Sequence, residues 1–282
     1  MNTTVIDSCA AAPFFREAGS GPGVVCIHCN ASSSSQWRPL MDRLAPRHRV
    51  LAPDTHGAGR GPAWPSDRVL TLRDEVALLE PVFARAGERF ALISHSYGAA
   101  VALLAALKKP ERVHALALYE PTLFSLIDAA SPRPNAADGI RHTVALAATA
   151  VARRDPSAAA EYFIDYWMGE GAWIAKPEVQ RHAIEAAVVN VQGWGGALFG
   201  DATPLAAFRA LKMPVLLMQG SETTPAARAV ATLLAQTLPR VELLTFPGLG
   251  HMGPVTHPAL VDEAIDDFLR RHPAPLANVV RL

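Results

Sequence analysis

The stretch FALISHSYGAA, residues 90–100, holds two serines, Ser94 and Ser96, with His95 between them. A nucleophile displayed on a sharp strand-to-helix turn needs small residues two positions before and two positions after it, because those side chains crowd the turn. Ser96 has Ser94 and Gly98 at those positions, whereas Ser94 would have Leu92 and Ser96. Ser96 is therefore the candidate nucleophile, Ser94 the small residue of the turn, and His95 a residue packed beside it without chemical duty. A serine hydroxyl attacks poorly at neutral pH unless an imidazole within hydrogen-bond reach takes its proton. Among ten histidines, His251 sits in PGLGHMGPVTHP, where Gly248, Gly250 and Gly253 free the backbone to carry the ring toward the turn. His257 precedes Pro258 and starts a helix instead. His56, in PDTHGAGRG, reads equally as a pocket-edge residue and as a structural one.

Such a pair needs elements that bring residues 96 and 251 together. Short β-branched runs at 23–28, 48–53, 89–94, 113–120, 214–220 and 241–247 alternate with Ala/Leu-rich amphipathic runs at 35–44, 72–86, 97–109, 225–238 and 258–271. That alternation predicts strands and helices of a mostly parallel sheet. Thr71 and Asp74 stand in capping-box spacing, and Pro110 stops the helix that follows Tyr97. Residues Thr3 to Glu17 predict a hairpin at one sheet edge. From Phe124 to Lys212 the periodicity is helical, with SPRPN as a loop and GWGG near Gly195, and no run reads convincingly as a strand. An insertion of that length between neighbouring strands is a subdomain rather than a loop. The expected division is a core domain of residues 1–123 and 213–282 with a helical cap at 124–212.

Lysine plus arginine equals aspartate plus glutamate at 26 each, which gives no reason to expect nucleic acid or an anionic membrane as partner. A small molecule fits that balance better. With 282 residues, 50% of them hydrophobic, the chain can bury a large core. Three cysteines, Cys9, Cys26 and Cys29, without metal-ligand spacing, point to a reduced, cytoplasmic protein with no metal. No signal peptide and no membrane span is expected.

The turn resembles the elbow of the α/β-hydrolase superfamily, usually written G-x-S-x-G and here S-H-S-Y-G, with Ser94 in place of the first glycine. The resemblance runs from about Phe14 to Arg271. It implies an α/β fold, a mostly parallel twisted sheet flanked by helices with a helical cap inserted between two strands, and it makes His251 the base. The superfamily commonly carries its acid in a G-x-x-D pattern after the strand that follows the insertion. Here that loop reads GSETTP, and Thr223 stands at the aspartate position. Two glutamates are candidates: Glu222 on the same loop, and Glu120 at the end of VHALALYE, a location used by some members, certain haloalkane dehalogenases among them. An ionised glutamate ending an apolar strand is costly without a partner, so Glu120 is the expected acid and Glu222 the alternative.

The resemblance also places one oxyanion-hole donor at the backbone N–H of Tyr97 and the other on the loop HCNASSSSQW. There Cys29 replaces the family's glycine, so Asn30 is the expected donor, with Cys29 possible. The serines from Ser32 to Ser35 cap the next helix. His28, Trp167, Trp173 and Trp194 are the expected pocket residues. The implied activity is a serine hydrolase cleaving a small, largely apolar ester or related acyl compound through an acyl-enzyme, without cofactor, in a monomer or homodimer. A carbon–carbon bond hydrolase or lactonase is the alternative on the same fold. A non-catalytic ligand-binding protein is the alternative of another class, favoured by the displaced acid alone.

Overall fold

The computed structural model describes residues 13–65 and 67–275. Strand β1 (Phe15–Ala18) pairs antiparallel with β3 (Arg49–Pro53) at a sheet edge. The upstream part of the hairpin expected over Thr3 to Glu17 lies outside the described residues. Strands β2 (Gly23–Ile27), β4 (Phe90–His95), β5 (Val113–Tyr119), β6 (Val215–Gly220) and β7 (Val241–Phe246) run parallel, and the sheet order is β1-β3-β2-β4-β5-β6-β7. β2 and β4 are buried along their whole length, as continuous apolar runs between two helical layers must be.

A 3₁₀ turn (Ser34–Trp37) leads into α1 (Arg38–Leu44). The helix expected at 72–86 is two helices, α2 (Leu72–Leu78) and α3 (Glu80–Ala86), because Pro81 has no N–H to continue the ladder. The capping box is present in both directions between Thr71 and Asp74. After β4 comes α4 (Tyr97–Lys108), whose alanines let it lie buried against the sheet. Between β5 and β6 the chain forms α5 (Ser125–Ala130), α6 (Asp138–Ala152), α7 (Pro156–Met168), α8 (Glu178–Val188), α9 (Val191–Gly200) and a 3₁₀ turn (Leu205–Ala210). No strand interrupts them among the described residues. The last helices among the described residues are α10 (Pro225–Thr237), a short α11 (Gly253–Thr256) and α12 (Pro258–Arg271).

One layer of the core packs the α4 face of the sheet together with the inserted helices; the other packs α1 and α12 on the opposite face. Parallel pairing sets His95 beside Tyr119, Tyr119 beside Met218 and Gly220 beside Phe246. The residues that leave β4, β5, β6 and β7 therefore emerge along one carboxyl edge.

Candidate active site

Ser96 leaves β4 at φ 58° and ψ −118°, a region that disfavours residues other than glycine. Its N–H donates to the carbonyl of Tyr119 (2.9 Å), and α4 begins at the next residue. The crowding of this turn is measurable: a Cβ on Gly98 would sit 2.5 Å from the carbonyl oxygens of both Ile27 and His28. Ser94 is fully buried below the turn and so cannot present its hydroxyl to a substrate.

The Ser96 Oγ lies 2.9 Å from Nε2 of His251, and Nδ1 of the same ring lies 2.6 Å from Glu120 Oε2. A carboxylate only accepts, so Nδ1 carries the proton and Nε2 faces the serine hydroxyl as acceptor. Glu120 is fully buried, with φ 43°, and its carboxylate also accepts from the Gly220 N–H (2.8 Å) and the Thr223 hydroxyl (2.5 Å). Thr223, at the position where an aspartate is common, thus contributes a hydroxyl to the glutamate that stands in for it. Glu222 makes no such contact: its side chain accepts from the Ser221 hydroxyl at the surface.

The loop carrying His251 is held at three successive carbonyls. Leu249 O accepts from the Glu222 N–H (2.9 Å), Gly250 O from the Tyr119 hydroxyl (2.8 Å) and His251 O from Nε2 of His95 (2.8 Å). Of the loop glycines, Gly248 uses a positive φ, whereas Gly253 is required for space, since its Cβ would meet the Tyr119 hydroxyl at 2.2 Å. His95 is fully buried and therefore does more than pack: Nδ1 also faces the Gln36 side-chain amide at 3.1 Å. Burial, and next the neighbouring His251, hold its pKa well below the usual imidazole range, so it stays neutral.

On the other side of Ser96, the loop after β2 is shaped by side chains that sequence reasoning placed differently. His28 is not a pocket residue. Its ring is buried, Nε2 accepting from the Thr55 N–H (3.3 Å) and Nδ1 donating to the Cys29 carbonyl (2.7 Å), and it lines neither cavity described below. The Cys29 N–H donates to Gln36 Oε1 (3.1 Å), which takes it away from Ser96. Burial pushes the Cys29 thiol up to about 12, so it is no thiolate nucleophile. Asn30 lines the same small cavity as Ser96. The Tyr97 N–H, first in α4, has no intrahelical acceptor. Ser33 caps the 3₁₀ turn, and the Ser34 N–H donates to Asp54 (2.6 Å). His56 is drawn to Glu75 (2.9 Å), a fully buried carboxylate that also accepts from the Tyr97 hydroxyl (3.2 Å). Glu75 carried no signal in the sequence, because an acid in the first turn of a helix reads as an exposed complement to its dipole.

Two cavities meet at the inserted helices. The inner one, about 20 Å³ or room for about one water, adjoins Ser96 and is walled by Thr122, Phe124, Ile140, Trp167 and Trp194. The outer one, 680 Å³, is a cleft bounded by the serines of the β2–α1 loop, Gln36, Met252 and the α7–α8 side, with Lys176 its one acidic or basic side chain among the described residues. Asn30, Phe163 and Trp167 border both. The Trp167 indole stacks on His251, ring centroids 3.9 Å apart and 25° from coplanar. Trp173 does not face either cavity: it is 3% exposed and its ring packs in the core shared with the inserted helices, while its backbone N–H donates to Asp165 (2.8 Å). Among the described residues no group of three or more His, Cys, Asp or Glu side chains is arranged to hold a metal, and no helix is long and apolar enough to cross a membrane.

The family model described as "Alpha/beta hydrolase family" matches residues 24–264. The chain is 27% identical to the 2-(acetamidomethylene)succinate hydrolase of Mesorhizobium japonicum over 263 residues, 90% of each chain. It is 28% identical to the 2-hydroxymuconate semialdehyde hydrolase of a Pseudomonas species over 275 residues, 95% of this chain and 90% of that one. Among solved structures it is similar to a thermophilic esterase from Thermogutta terrifontis, 25% identical with a TM-score of 0.69, covering 92% of this chain and 93% of that one.

Proposed function

This chain belongs to the alpha/beta hydrolase family, and from its site we propose a serine hydrolase that cleaves a small, largely apolar ester or related acyl compound through an acyl-enzyme. The observation that carries the reading is the continuous contact Ser96 Oγ–His251 Nε2 (2.9 Å) and His251 Nδ1–Glu120 Oε2 (2.6 Å). Ser96 attacks the acyl carbon while its proton passes to His251, and Glu120 stabilises the imidazolium that forms. The N–H groups of Tyr97 and Asn30 receive the developing oxyanion. His251 then returns its proton to the leaving group, and a water deprotonated by the same ring releases the acid and regenerates Ser96. The helices between β5 and β6 act as a cap. The inner cavity takes a short acyl group, and the outer cleft takes the leaving portion.

Cleavage of a carbon–carbon bond or of a lactone is the second reading, favoured by the likeness to a 2-hydroxymuconate semialdehyde hydrolase along 95% of this chain. The free, buried Cys26 and Cys29 support a cytoplasmic location. A fluorophosphonate probe tests the core of the proposal. Rapid stoichiometric labelling is expected of the wild type and of Ser94→Ala, and none of Ser96→Ala. Slow, substoichiometric labelling of the wild type would instead point to a binding protein with this fold.

A further inference from the structure

Resting on the serine-hydrolase reading, we propose that Gln36 and His95 are positioning residues, a buried brace that sets the oxyanion-side loop and the His251 loop in one register. The brace is a chain of three hydrogen bonds: Cys29 N–H to Gln36 Oε1 (3.1 Å), Gln36 Nε2 to His95 Nδ1 (3.1 Å) and His95 Nε2 to His251 O (2.8 Å). Its polarity is fixed from both ends. The His251 carbonyl only accepts, so the proton of His95 sits on Nε2 and leaves Nδ1 as an acceptor. The Cys29 N–H only donates, so Gln36 turns its carbonyl there and its amide group to His95. Reversing Gln36 would set donor against donor at Cys29 and acceptor against acceptor at His95.

Each end of the brace lies next to one half of the chemistry. Cys29 immediately precedes Asn30, whose N–H is the proposed oxyanion donor, and the far end is the backbone of the base itself. His95 is fully buried, so neither of its bonds is exchanged with bulk water. The neighbouring carbonyls Leu249 and Gly250 are tied to the ends of β6 and β5 through Glu222 and Tyr119. The His95 bond supplies the corresponding tie to β4 and extends it across the elbow to β2. A displacement of about 1 Å in a catalytic group lowers rate by about 100-fold, which sets the scale of losing such a brace.

The test compares Gln36→Leu, His95→Leu, the double variant and the conservative His95→Gln, with p-nitrophenyl acetate as substrate. Each leucine variant is expected to lower kcat about 10- to 100-fold, and in His95→Leu, whose side chain lines neither cavity, KM should change less than about threefold. The double variant is expected to be no worse than the poorer single one, because both cut the same chain. His95→Gln, which keeps a donor for His251 O and an acceptor for Gln36, is expected to recover most of kcat. A readout independent of turnover is the downfield proton resonance of His251 Nδ1–H, which should shift in Gln36→Leu and return in His95→Gln. Additive losses in the double variant, or an unshifted resonance with unchanged kcat in folded Gln36→Leu, overturn the brace. Should His95→Leu fail to fold, Gln36→Leu and Gln36→Asn, at a half-buried position, decide it alone. A wild type that neither hydrolyses the ester nor takes the fluorophosphonate refutes the hydrolase reading, and the resonance still decides the brace.

Discussion

Replacing Glu120 by glutamine separates charge from shape at the residue that contacts His251. The carboxylate accepts from three donors, the Gly220 N–H, the Thr223 hydroxyl and His251 Nδ1–H. A glutamine has one amide group to place among them. Turned toward Gly220, it opposes a backbone donor that cannot invert, in a fully buried site, at about 1–3 kcal/mol. Turned toward Thr223 and His251, it meets a hydroxyl that can rotate to accept and a ring that can change tautomer. The second arrangement wins, and it moves the proton of His251 from Nδ1 to Nε2, where it faces Ser96. The ring is then a donor to the nucleophile instead of its base. A wrong-tautomer histidine lowers kcat by about 10⁴-fold in the serine-protease precedent, and the Glu120→Gln loss is expected within about tenfold of that.

The assay is kcat on p-nitrophenyl acetate with the fluorophosphonate labelling rate alongside, on protein verified as folded by circular dichroism. Glu222→Gln is the control and should stay within about twofold, because Glu222 contacts Ser221 at the surface. A folded Glu120→Gln protein that keeps more than a tenth of wild-type kcat, or a larger loss in Glu222→Gln, would refute the tautomer argument.

Trp167→Leu removes the ring that stacks on His251 and walls the inner cavity. It should lower kcat for the acetate about tenfold while raising the ratio of butyrate to acetate kcat/KM, and an unchanged acyl preference would refute Trp167 as the pocket wall. Among the described residues, Lys176 lines the outer cleft without another charged side chain beside it there. Lys176→Met should raise KM several-fold for aryl acetates carrying a carboxylate on the leaving group and leave their methyl esters unchanged; equal effects on both would refute it. Burial pushes Asp262 up to about 7, against a partial offset from Arg43, while the unfolded chain titrates near 3.8. The folded state therefore binds the extra proton between these values, and stability falls as pH rises from about 4 to about 7, by about 2 kcal/mol once water penetration is allowed for. Asp262→Asn should raise Tm by several degrees at pH 8 and little at pH 4; an equal gain at both would refute the assignment.

The central strands β2, β4, β5 and β6 were legible because burial on both faces leaves near-continuous apolar runs, and most of the helices because they carry one apolar stripe. Ser96 was legible because crowding in the turn restricts its neighbours, and Glu120 because a charge ending an apolar strand needs a partner. Gln36 was not. In the run SSSSQW it looks like any polar cap residue, and its value lies in reaching His95, 59 residues away. His28 and Trp173 face elsewhere for a related reason: which way a ring turns depends on distant partners, Thr55 for His28 and the helical core for Trp173, that no local pattern announces.

The parallel pairing of β5 and β6 accounts for the threonine at position 223. β5 and β6 are parallel neighbours in register, Tyr119 beside Met218, so the residue leaving β5 and the loop leaving β6 reach the same imidazole. One carboxylate is enough for one ring. A second, at 223, would place two negative charges within hydrogen-bond distance of each other and force one to hold a proton, weakening the charge that faces His251. Threonine avoids that conflict and donates to Glu120 Oε2, the oxygen that also faces His251. Its hydroxyl and the Gly220 N–H satisfy the acceptors of a fully buried carboxylate. Thr223 and Glu120 therefore act as one unit: the carboxylate that ends β5 faces His251, and the β6 loop supplies it with a hydrogen-bond donor.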